Sequence, residues 1–206
     1  MSLRLKAENL WYHYKFHILA SIFLLVVFVV SLHSCVTRPK YDMQVYYVTG
    51  SSPMYTEQIS WIESFVSSQC GDVNGDGEIT VSVTGVRVGD GSDPTERAKN
   101  LNAVQAGDVM LLFGDASGID YLYRNGYLQP LTDFTDDLDG EGYAWNLSRS
   151  DLSSKTEGFD VFSHNLYVSL RALEGTWSSA RSTTKANYEV ACNTLRSMIA
   201  ADATVE

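Results

Sequence analysis

The densest chemistry in this chain lies in residues 72–78 (DVNGDGE), where Asp72, Asn74, Asp76 and Glu78 alternate with small or turn-forming neighbours. Oxygen-bearing side chains at 72, 74 and 76 can converge on a hard cation. Gly77 permits the sharp turn, the Glu78 carbonyl supplies a further oxygen, and Ile79 stands where such loops pack a hydrophobe. The spacing predicts a calcium site. The twelfth position, which in strong sites carries a bidentate carboxylate, is Val83, so the expected affinity is no better than about 10⁻⁴ M, the weak extracellular class. The same residues would equally make a helix C-cap and glycine-rich turn with exposed acids. Among the histidines, His13, His17 and His33 flank an apolar run, and His164 falls between two expected strands, where a lone imidazole reads as solvated. The sequence contains no zinc-ligand spacing, P-loop, dinucleotide fingerprint or Gly-x-Ser-x-Gly elbow. A non-enzymatic protein is expected.

Charge and hydropathy say where such a loop would work. Residues 1–16 hold three basic residues and one acid, net +2, and the rest of the 206-residue chain holds 12 basic and 24 acidic residues, net −12. So acidic a surface repels phosphate backbones, which excludes nucleic acid as an expected partner. Residues 18–32 (ILASIFLLVVFVVSL) carry no charge and span roughly 22 Å as a helix; extension to Val36 approaches the usual minimum for crossing a bilayer. Trp11, Tyr12, Tyr14 and Phe16 precede the run, interleaved with Lys15 and two histidines, as in segments that sit at headgroup level. The expected organisation is a cytoplasmic or interfacial segment over 1–17, a transmembrane anchor over 18–36, a linker over 37–42 and an extracytoplasmic domain over 43–206. Leu32-His33-Ser34-Cys35 also approximates a lipobox, so a lipoprotein anchored at Cys35 is the alternative to the preferred uncleaved anchor. Both place the domain outside the cytoplasm, where Cys70 and Cys192 could be bonded or separately buried.

Within the domain, residues 43–48 (MQVYYV) and 109–113 (VMLLF) read as buried strands, and 78–88 alternates as a third. Helical spacing is expected over 54–68, with Ser52 as N-cap and Pro53 at its first position, and over 94–105, 117–124 and 183–201. Residues 159–162 and 166–173 read as two further strands, and 133–156 as polar and acidic. The β-α-β-α-β-α order predicts an α/β fold: a single three-layer domain with a mainly parallel sheet, preceded by one N-terminal transmembrane helix. The strand at 109–113 should be flanked by those near 43–48 and 79–88. In such a sheet a small ligand binds beyond the C-terminal strand ends. That selects Thr49, Gly50 and Ser51 after the first strand and Gly114, Asp115 and Ser117 after the third, although turn forming explains these residue types as well.

The stretch 107–115 (GDVMLLFGD), then 119–122, then 125–131 (NGYLQPL) resembles extracellular solute-binding proteins of transport systems. The resemblance covers roughly residues 43–134 and implies the N-terminal lobe of a type 2 periplasmic binding protein-like fold. Residues 8–17 (ENLWYHYKFH) ahead of the apolar run look like those of short membrane-anchored surface proteins of Gram-positive bacteria. The 72–79 loop is similar to the calcium loop of a dockerin module, which uses two copies where one is present here. Together these imply a binding or accessory module for a small solute, or else a structural component of a membrane complex stabilised by a calcium loop.

Overall fold

The computed structural model describes residues 3–36, 41–50, 52–89, 93–106, 108–174 and 179–203. The chain divides into two units, Met1–Lys40 and Tyr41–Glu206. Among its described residues the first is one helix, α1 (Leu3–Val36). Its stretch Tyr14–Leu32, 19 residues with a mean hydropathy of 2.4, is long and apolar enough to cross a membrane. Ile22, Phe23, Leu24, Leu25 and Val26 are all exposed, so the apolar surface runs round the helix instead of forming one buried stripe. At its start Lys15 Nζ lies 5.3 Å from the centre of the Phe16 ring, a cation held on an aromatic face.

The second unit builds a five-stranded mixed sheet in the order β2-β1-β3-β5-β4. β1 (Met43–Thr49), α2 (Thr56–Gln69), β2 (Val81–Arg87), α3 (Pro94–Ala106) and β3 (Leu111–Gly114) follow one another along the chain. β1 pairs in parallel with both β2 and β3. α4 (Ala116–Arg124) comes next, then β4 (Trp145–Asn146), α5 (Asp151–Lys155), β5 (Tyr167–Leu170) and α6 (Ser182–Ala203). β5 runs antiparallel to β3, and β4 antiparallel to β5. β3 therefore lies between β1 and β5, and β2 is not its neighbour as the sequence suggests. Residues 159–161 form a 3-10 turn and not a strand. α2 begins at Thr56 with Tyr55 as its cap, in place of a Ser52 cap and a first turn at Pro53.

The α2 sequence explains its docking. Gln58, Trp61, Ile62, Phe65 and Val66 are buried at i, i+3, i+4, i+7 and i+8. Trp61 stacks on Phe65 at 4.8 Å between ring centres. They join a core containing Val45, Tyr47, Val83, Phe113, Leu195 and Met198, to which α6 contributes the last two. Strand alternation sends Tyr46, Val48, Val86 and Leu112 into a second core with Val104 of α3 and Ile119 and Leu122 of α4. Leu111 and Leu112 are both 0% exposed, and burial of each contributes about 1.5–3 kcal/mol. The outer edge of β2 is occupied: Glu63 Oε1 accepts the Val83 N–H at 3.2 Å, and Asn100 donates to the Arg87 carbonyl at 2.8 Å, which blocks strand addition there. Cys70 and Cys192 are separate buried thiols.

Candidate functional site

Strand order 2-1-3 places the topological switch point between β1 and β3, at their C-terminal ends. The structure brings Thr49, Gly50, Gly114, Asp115 and Ser117 together there; Ser51 lies outside the described residues. Asp115, 3% exposed, is the N-cap of α4. Its Oδ1 accepts from the Gly118 N–H at 2.6 Å, the Gly50 N–H at 3.0 Å and the Ser117 hydroxyl at 3.0 Å, while Oδ2 accepts from the Ser52 N–H at 3.0 Å. One carboxylate thus ties the β1–α2 connection to the start of α4. Burial alone would raise its pKa, but the Gly50, Ser52 and Gly118 donors outweigh that and hold the carboxyl below its ordinary value. The approach is close enough that a Cβ on Gly118 would lie 2.8 Å from the Val48 carbonyl oxygen. Side chains cannot enter at that position.

Beside this junction, on the α2 face of the sheet, runs a polar chain that the sequence does not reveal. The Tyr47 hydroxyl, on a residue 0% exposed, donates to Gln58 Oε1 at 3.2 Å and lies 3.2 Å from Nε2 of His164. Gln58 also accepts the Tyr55 N–H at 3.1 Å and donates to the Val161 carbonyl at 3.3 Å. Burial, with the Asp115 charge adding to it, pushes the Tyr47 phenol well above its ordinary pKa, so it stays a neutral donor. His164 is half-buried and packs edge-on to Phe162 at 6.1 Å. Its partner is 117 positions away in the chain, which is why no local motif points to it. The one available signal is a tyrosine and a glutamine on faces otherwise apolar.

At the C-terminal ends of β1 and β2, two polar atoms have no hydrogen-bond partner among the described residues: the Thr49 hydroxyl, fully buried, and the buried Nε of Arg87. Thr49 and Arg87 are register partners across β1 and β2.

The acidic loop follows the C-terminal end of α2 and connects it to β2. Asp72 accepts the Gly75 and Gly77 N–H groups at 2.7 and 2.9 Å, Asn74 Oδ1 the Asp76 N–H at 2.9 Å, and Asp76 Oδ1 the Glu78 N–H at 3.0 Å. Gly75 and Gly77 take positive φ angles of 73° and 88°, which explains glycine at both turns. Among the described residues no group of three or more His, Cys, Asp or Glu is arranged to hold a metal ion. A residue from the expected linker anchors the loop. Asp42, 7% exposed, accepts the N–H groups of Val73 at 2.8 Å, Asn74 at 2.9 Å and Thr80 at 2.7 Å. The Thr80 donor foremost, against the cost of burial and with help from Asn74 and Val73, lowers its pKa. Asp42 also borders a polar depression of about 230 Å³ with Gln44, Asp108 and Asn187. There Asp108 accepts from Thr184 at 2.5 Å. The chain matches no family model, no curated protein and no solved structure.

Proposed function

We propose that this is a single-pass membrane protein whose domain, residues 41–206, lies outside the cytoplasm and serves as a binding or accessory module without catalytic activity. The observation that carries the reading is α1. Nineteen residues with mean hydropathy 2.4, none of them packed inside the protein, call for lipid around them, and the adjoining unit has cores of its own. Basic residues ahead of the span favour a cytoplasmic N-terminus. An alternative is a lipoprotein anchored at Cys35, which leaves the domain on the same side. The domain is read as a three-layer α/β lobe related to extracellular solute-binding proteins. Its support is a switch point flanked by unpartnered polar atoms and by the Tyr47–Gln58–His164 chain. The alternative role, a structural component of a membrane complex stabilised by calcium at 72–78, is favoured by the four backbone N–H groups that Asp72, Asn74 and Asp76 hold in a ready turn.

Topology is tested with the whole chain fused at its C-terminus to alkaline phosphatase, active only after export, or to β-galactosidase, active only inside. High phosphatase and low galactosidase activity are expected; the opposite pattern would overturn the reading.

A further inference from the structure

The unpartnered pair at the end of the sheet has a chemistry of its own. Parallel register sets Thr49 opposite Arg87, and strand alternation puts both on the face that carries Val45, Tyr47, Val81 and Val83. A buried hydroxyl and a buried guanidinium N–H without partners each cost free energy, and they sit side by side at the C-terminal ends of the parallel pair β1 and β2. Arg87 makes no ion pair among the described residues, although carboxylates outnumber cations in the chain by 25 to 15. Asp115, just past the end of β3, has its oxygens taken by Gly50, Ser52, Ser117 and Gly118.

We propose that Arg87 and Thr49 bind the carboxylate group of a small organic acid, which deepens the reading of the domain as a binding module and rests on it. The free Nε is the deciding atom. Nε and the adjacent Nη present two parallel N–H donors, the side-on fork that matches the two oxygens of a planar carboxylate. The Thr49 hydroxyl supplies a third donor to the same group. Access is at Arg87 itself, the last residue of β2, which is only half-buried. Gly85, between Arg87 and Val83 on this face, has no side chain, and Met54 fills the space above it.

The test uses the full chain in detergent micelles, with calorimetric titration and thermal melts against acetate, succinate and glutamate, and with sulfate and phosphate as tetrahedral controls. Saturable binding of at least one carboxylate is expected, with the tetrahedral anions weaker by about tenfold or more, because they do not match the planar fork. Arg87→Lys keeps the charge but loses the fork, and should weaken binding about tenfold while leaving the fold intact. Thr49→Val should raise the melting temperature of the free protein, since it removes an unsatisfied buried hydroxyl, and reduce the carboxylate-dependent shift. Equal binding of sulfate and succinate, undiminished binding by Arg87→Lys, or no saturable binding of any carboxylate would overturn the proposal. The reporter fusions test topology alone, so failure here leaves the membrane reading standing and failure there leaves this site standing.

Discussion

Asp115 and Asp72 do the same thing with their oxygens and differ in where they do it. Each carboxylate gathers backbone N–H groups and fixes a turn: Asp115 takes those of Gly50, Ser52 and Gly118, Asp72 those of Gly75 and Gly77. Asp115 is 3% exposed, and two of its donors, the Gly50 and Gly118 N–H groups, are buried with no water to fall back on. Asp72, Asp76 and Glu78 are exposed, and every N–H they hold would be solvated without them. Burial therefore decides which aspartate the fold depends on, and exposure decides which remains able to take a cation.

The largest expected effect breaks the buried side of this comparison. Asp115→Ala strands the Gly50 and Gly118 donors and should destabilise the domain by about 3 kcal/mol, read from urea denaturation of the whole protein in micelles. A loss below about 1 kcal/mol would mean that water reaches the junction. The acid limb follows from the same residue. Because the folded pKa of Asp115 lies below its ordinary value of 3.8, its contribution is complete above that value and disappears as pH falls through the lowered one. Wild type should lose stability steeply below about pH 4, and Asp115→Asn should begin lower and show a shallower acid limb. Parallel limbs would remove Asp115 from the account.

The exposed side is sharpened by calcium. If the 72–78 loop takes the ion, free calcium at ten times the dissociation constant stabilises the protein by about 1.4 kcal/mol, and a chelator reverses it. Asp76→Ala should abolish that gain. In chelator alone the same substitution should change stability by no more than about 0.5 kcal/mol, the smallest effect expected. Identical melts with calcium and with chelator would leave the loop a turn held by Asp42.

Much of the scaffold was legible in the sequence, because local periodicity dictates it. α2, α3, α4 and α6 and strands β1 to β3 fall within a few residues of the stretches their apolar spacing marks. What the sequence hid depends on distant partners. Tyr167-Val168-Ser169-Leu170 has the composition of any buried strand, and nothing local sets its direction; the antiparallel register of Leu170 against Leu111 does. β4 is two residues long, too short for a period. Asp42 reads as linker because its value lies in three N–H groups over thirty positions away. At the site, Thr49 and Asp115 follow from the rule that ligands gather at strand ends. Arg87 and His164 do not, since an unpaired guanidinium and a hydrogen bond across 117 positions are properties of the folded chain.

The central claim, a tethered domain facing away from the cytoplasm, is tested most directly by thiol labelling in intact cells. Glu78→Cys places a thiol on the exposed loop, while Cys70 and Cys192 are buried and should not react in the folded protein. Cys35→Ser removes the remaining thiol, at the membrane boundary. A membrane-impermeant maleimide should label the Glu78→Cys, Cys35→Ser protein before lysis to the same extent as after it. Labelling that appears only once the membrane is opened would place the domain inside and contradict the account.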